Sequence, residues 1–227
     1  MSVHESVIET RQLSVYHRSG AVFSKKAYCV RDLTLHVHRN EIVGLAGPSG
    51  SGKTSIGKAI LGLIPTWDGD VYWNGYNIRR GIRRSSRRAY GWISQESTLS
   101  FNPSRKIIDV LHETLSVNGV NDDRQGRIRR MCEYMKIDQT ILQRHSFEMS
   151  GGQIQRCALM RVLMLEPEFL LLDEPTSSLD TVTQLDILRL LLAWKREHGL
   201  TMIFISHSRE LLKHFCHRII DLGERDE

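Results

Sequence analysis

Gly47-Pro48-Ser49-Gly50-Ser51-Gly52-Lys53-Thr54 is the stretch that decides the fold of this 227-residue chain. Its glycines let backbone N–H groups turn inward without a Cβ clash, which makes a nest for anionic oxygens. The flanks are those such a loop requires. Ile42-Val43-Gly44-Leu45-Ala46 before it reads as a buried strand, and residues 55–63 after it have helical spacing until Pro65 stops them. That helix points its positive end at the nest. Lys53 is then placed to contact terminal phosphates, and the Thr54 hydroxyl to ligate Mg²⁺.

Working outward, Leu33, Leu35 and Val37 alternate with polar residues as in a half-buried strand. Val71-Tyr72-Trp73-Asn74-Gly75 reads as a strand entering a turn, and residues 89–94 as a short strand that ends at Gln95. Residues 101–150 change to helical character, with predicted helices over 107–117 and 127–135. After Gly151 the alternation resumes. Helices over 153–164, 185–196 and 210–215 lead to strands over 169–172, 202–205 and 219–222. Strands alternating with helices predict a mainly parallel α/β sheet, interrupted by a helical insertion of about fifty residues.

The strand ending in Leu170-Leu171-Leu172-Asp173-Glu174 delivers two carboxylates to the strand end, where open α/β sheets bind ligands. Asp173 suits Mg²⁺ held through water, since magnesium keeps several waters. A second carboxylate beside a metal-binding one is costly without a task, and Glu174 fits the general base for an attacking water. Ser150-Gly151-Gly152-Gln153 has no partner within one copy of such a site, which implies that two copies meet.

Length suits one large domain, residues 1–227, with core segments 1–95 and 151–227 and a helical subdomain at about 96–150. No apolar run approaches the ~18 residues that span a bilayer. The opening residues have neither a basic head nor an apolar stretch, so no secretory signal is expected. Cys29, Cys132, Cys157 and Cys216 lack paired spacing and read as reduced cytosolic thiols, mostly in the core. The net charge of +5 separates nothing by itself.

These strings together resemble the nucleotide-binding domain of ATP-binding-cassette (ABC) transporters over essentially the whole chain. Gly47 to Thr54 match the Walker A string, Leu170 to Glu174 the Walker B string, and Gln95 the Q-loop. Met149 to Gln153 match the signature, Ser178-Leu179-Asp180 the D-loop and His207 the switch histidine. Tyr16, after Leu13-Ser14-Val15, matches the aromatic that stacks on adenine.

The resemblance implies a P-loop NTPase core with an N-terminal antiparallel β part, and ATP and Mg²⁺ as cofactors. Thr54 and Gln95 would ligate Mg²⁺, with Asp173 held to it through water. Glu174 would polarise the lytic water, and His207 would touch the γ-phosphate. Ser150, Gly151 and Gly152 would contact the γ-phosphate bound on a second ABC ATPase subunit, identical or related. Gln153 and Asp180 would complete the nucleotide site. Met149 replaces the usual leucine, a change of similar volume that is expected to cost less than ~1.5 kcal/mol and no activity.

Ser100-Phe101-Asn102-Pro103 and Ser178-Leu179-Asp180-Thr181-Val182-Thr183-Gln184 look like the importer branch for peptides, nickel and metal-chelating opines. The chain ends soon after Leu222, as in the shorter second ATPase of such systems. The implied partners are two membrane permease subunits, docking near residues 95–106, and indirectly an extracytoplasmic substrate-binding protein. The implied location is peripheral, on the cytoplasmic face of a bacterial inner membrane. Non-transport clamps acting on nucleic acid or ribosomes look like paired cassettes or carry a long coiled coil. Neither pattern appears, so no nucleic acid is expected.

Two features tempt a further reading. Arg79, Arg80, Arg83, Arg84, Arg87 and Arg88 would form stripes on one helical face, but no aromatics interleave with them, and a solvated or subunit-facing surface is expected ahead of contact with anionic lipid or, last, nucleic acid. His36, His38, and the run His214-Phe215-Cys216-His217 lack a full metal-ligand set with the usual spacing.

Overall fold

A computed structural model describes residues 6–19, 25–82, 84–95 and 101–223 of the chain. Strands β1 (Ser6–Ser19), β2 (Lys25–His38), β4 (Trp67–Trp73) and β5 (Tyr76–Asn77) form an antiparallel sheet in the order β2-β1-β4-β5. Strands β3 (Ile42–Ala46), β6 (Tyr90–Ile93), β7 (Phe169–Asp173), β8 (Thr201–Ile205) and β9 (Arg218–Asp221) form a parallel sheet in the order β6-β7-β8-β3-β9. The helices are α1 (Lys53–Ile60), α2 (Ile107–Val117), α3 (Arg124–Met135), α4 (Gly151–Leu163), α5 (Thr181–His198) and α6 (Arg209–Phe215).

The parallel sheet is covered on both faces, which is why β3, β7 and β8 are buried throughout. The period of two divides each strand between two cores. Phe169 and Leu171 join Val43, Leu45 and Ile56 in the core beneath the antiparallel sheet. Leu170 and Leu172 join Ile107, Leu159, Leu191 and Leu212 in the core beneath the other helices. The helical insertion therefore packs into the same apolar mass as the sheet.

Helix ends differ from the sequence expectation where capping overrides periodicity. The first helix begins at Lys53 and stops at Ile60, with Gly62 in the left-handed region (φ 66), ahead of Pro65. The last long helix begins at Thr181, earlier than its apolar pattern, because Asp180 caps it by accepting from Thr183 N at 3.0 Å.

The arginine run is not one helical face. It is split into two 3₁₀ segments, Ile78–Arg80 and Arg84–Ala89, by Gly81 at φ 95, a conformation that ends a helix. Arg79 is a structural residue, donating to the carbonyls of Trp67 (2.5 Å) and Gly69 (2.9 Å). Arg83 and Ser100, and the side chains of Arg84 and Arg87, lie outside the described set. Among the described residues no group of three or more His, Cys, Asp or Glu could hold a metal ion, and no helix is long and apolar enough to cross a membrane.

Candidate active site

Strand order brings the site together. Gly47 follows β3, Glu174 follows β7 and His207 follows β8, and β8 lies between the other two. Three loops thus leave the carboxyl ends of adjacent parallel strands, about 5 Å apart from one to the next. The pairing of Asp173 with Ile205 places Glu174 and His207 side by side. Glu174 N donates to Ile205 O at 3.0 Å, and the Glu174 Oε2 to His207 Nδ1 distance is 3.3 Å. Glu174 itself takes a left-handed backbone (φ 47), which turns the chain sharply off the strand.

A cavity of about 480 Å³ collects Ser49, Gly50, Gly52, Lys53, Thr54, Gln95, Glu174 and His207. Its phosphate end is α1, whose first N–H groups have no partner within the helix and which has no side-chain cap. Lys53 Nζ donates to the carbonyls of Gly47 and Pro48, both at 2.8 Å, which arches the side chain over the loop. Gly52 is obligatory here: at φ 94, a Cβ would lie 2.7 Å from Val30 Cγ2. Ser51 Oγ is buried and has no hydrogen-bond partner among the described residues.

Thr54 Oγ1 donates to Asp173 Oδ1 at 3.0 Å. Asp173 is buried, and burial pushes its carboxyl above the ordinary range; the Thr54 hydrogen bond, Lys58 and Lys53 oppose this, while the Glu174 charge adds to it. A costly buried carboxylate touching a hydroxyl, with Gln95 on the same cavity wall, is a set of hard oxygen donors that fits Mg²⁺. Gly57 lies one turn along α1 from Thr54. A Cβ there would lie 2.6 Å from Leu171 Cδ2, so a larger residue requires the helix to rise off β7 or Leu171 to shift. The sequence signal for it is a lone glycine within a helical pattern.

Tyr16, expected beside the base, is not among the residues that line this cavity. It is 6% exposed, edge-on to Tyr28 at 5.6 Å and beneath Lys26 Nζ at 4.4 Å from its ring centre. Neighbouring residues on a strand face opposite ways, and a register shift between Val15 and Tyr16 fixes which one faces in. His17 lines the cavity, beside Ala27, Tyr28 and Cys29.

The ABC transporter family profile matches residues 30–177. The chain belongs to that family. It is 36% identical over 84% of its length to a Brucella ovis protein named for peptide import, and spans 62% of that relative. It is 30% identical over 98% of its length to the oligopeptide transport ATP-binding protein OppF of Streptococcus mutans, spanning 76% of it, and 33% identical over 89% to OppF of Salmonella typhimurium, spanning 65%. The fold matches a dimeric bacterial ABC transporter cassette, with a TM-score of 0.82, 24% identity and coverage of 95% and 94% of the two chains. A dimeric post-hydrolysis cassette bound to ADP and Pi gives a TM-score of 0.81 at 24% identity, covering 97% of each chain.

The ABC signature residues stand apart from the cavity: none of Ser150, Gly151, Gly152 and Gln153 lines it. Ser150 and Gln153 form a capping box on α4, with Gln153 Oε1 accepting from Ser150 N at 3.0 Å and Ser150 Oγ accepting from Gln153 N at 3.4 Å. Gln153 is thereby engaged within its own helix, while the Ser150 hydroxyl keeps its proton to donate. Gly152 is required for packing, since a Cβ would lie 2.8 Å from Thr183 Cγ2. At Gly151 a Cβ would meet only Leu179 Cδ2, at 3.4 Å. Asp180 is likewise committed to its cap, accepting from Thr183 Oγ1 at 2.7 Å.

Proposed function

We propose that this chain is the ATP-hydrolysing subunit of an ABC importer, with peptides as cargo. The observation that carries the reading is the convergence of Lys53, Thr54, Gln95, Glu174 and His207 on one cavity that the signature residues do not reach. Two subunits meeting head to tail would bring Ser150 and the Gly151 backbone of one to the phosphates bound by the other. The names of the similar proteins from Brucella and Streptococcus favour peptides over nickel or metal chelates. The permease pair, an external binding protein, and attachment at the cytoplasmic side of the membrane belong to the same reading.

In hydrolysis Glu174 accepts the proton of the attacking water, and His207, 3.3 Å from it, holds that carboxylate in place. Lys53 and the α1 amides neutralise charge on the transferring phosphoryl group. Thr54 and Asp173 would hold Mg²⁺, which when bound supplies charge neutralisation at the phosphate oxygens. His17, rather than Tyr16, supplies the ring beside the base. The test is Glu174→Gln, which should leave ATP binding intact and slow hydrolysis by on the order of 10²–10⁴. Normal turnover in that variant removes Glu174 from the chemistry.

A further inference from the structure

At the opposite end of the sheet lies a second cavity, of about 410 Å³, beside Ile42 at the start of β3. Its walls come from the last turns of α5 (Leu192, Lys195, Arg196), the end of α6 (Phe215) and His217, between α6 and β9. The nucleotide loops leave the carboxyl ends of these strands, and this cavity opens at their amino ends.

Its chemistry is one-sided. Among the described residues no acidic one lines it. Lys195 is only 8% exposed as a residue, its ammonium is not among the fully buried atoms, and among the described residues nothing accepts a hydrogen bond from it. Burial lowers its pKa. His217 is pinned twice to Ile42: its Nδ1 accepts from Ile42 N at 3.0 Å, and its backbone N donates to Ile42 O at 2.9 Å. With Nδ1 accepting, the neutral ring carries its proton on Nε2 and offers a donor. His214 Nδ1 lies 2.8 Å from Glu210 O, so that ring too is fixed by its own helix.

Cations in the last turn of a helix favour its dipole, and exposed Arg196 and His198 serve that purpose. The dipole does not account for Lys195, which shares the cavity wall with the apolar Ile42, Leu192 and Phe215.

We propose that this cavity binds a small organic carboxylate, its anionic head against Lys195, Arg196 and His217 and its apolar body against Ile42, Leu192 and Phe215. A bare inorganic anion would satisfy the cations and leave the apolar wall uncovered. The volume is at the small end of ligand sites, enough for a single ring or a short aliphatic chain.

Benzoate is the probe, titrated into the full chain by calorimetry and ligand-observed NMR. The expected Kd is on the order of 1 mM for a ligand of this size. Lys195→Met keeps the stem and removes the charge, and should weaken binding at least about tenfold with ATP turnover unchanged. Arg196→Gln, at an exposed position that leaves the fold intact, should weaken it about threefold. Three results overturn the proposal: no saturable binding of benzoate, unchanged affinity in both variants, or inorganic phosphate binding as tightly as benzoate.

Discussion

Replacing Gly57 by alanine should uncouple the proposed magnesium site without touching any residue that faces it. The added Cβ would lie 2.6 Å from Leu171 Cδ2 and 3.1 Å from Cδ1. Comfortable carbon contacts are about 3.5–4.0 Å, so α1 must rise from β7 by roughly 1 Å unless Leu171 yields. Thr54 is carried on the same helix, and its 3.0 Å bond to Asp173 would stretch to about 4 Å, beyond hydrogen-bonding range.

Overpacking costs about 1–3 kcal/mol, while alanine regains up to about 1 kcal/mol of helix propensity. The net loss is about 1 kcal/mol, or roughly 2–4 °C in Tm for a chain of this size. The decisive assay is a Mg²⁺ titration of ATP hydrolysis. Displaced supporting contacts around a metal cost about 10–100-fold in its affinity, and half-maximal turnover should shift to correspondingly higher Mg²⁺. Adding Leu171→Ala should return the Mg²⁺ requirement towards that of the parent, at a further cost in stability of about 2–5 kcal/mol. A Gly57→Ala protein with the parental Mg²⁺ requirement would refute the idea that α1 must sit this low.

Further outcomes follow from the same geometry. Asp173 has its folded pKa raised above the ordinary 3.8, so the stability it gives is complete below that pH and is lost as pH rises through the folded pKa. At pH 7 without metal, Asp173→Asn should therefore raise Tm while ending Mg²⁺-dependent hydrolysis; a lower Tm contradicts the burial argument. His17→Ala should weaken ATP binding about tenfold, the scale of one ring stacked on a base, whereas Tyr16→Ala should cost stability and leave affinity within about twofold. The opposite pattern in a fluorescent-nucleotide titration returns the base contact to Tyr16. Gly152→Ala should lower Tm because its Cβ meets Thr183, while Gly151→Ala should keep Tm and abolish ATP-driven dimers of the Glu174→Gln protein in light scattering. Dimers that persist would place the signature outside the shared site.

The phosphate loop, the strand carrying Asp173 and Glu174, and the alternation of strands with helices were legible along the chain. Each is a local pattern: glycines that free the backbone, an apolar run that must be buried, and polar residues at its exit. The same locality explains the errors. Periodicity ran the arginine stretch together as one helix, although Gly81 divides it. Apolar spacing began α5 late, since the cap at Asp180 is polar.

Sequence alone determined which residues are proposed to meet phosphate, because chemistry at that loop is set by residue type and immediate flanks. Only the tertiary structure decided which ring lines the cavity, since Tyr16 and His17 are adjacent and only His17 reaches it, past a shift in strand register. It also decided that Thr54 reaches Asp173, 119 positions away. That contact depends on how closely a helix can approach a strand, and at Gly57 the missing Cβ leaves room for Leu171.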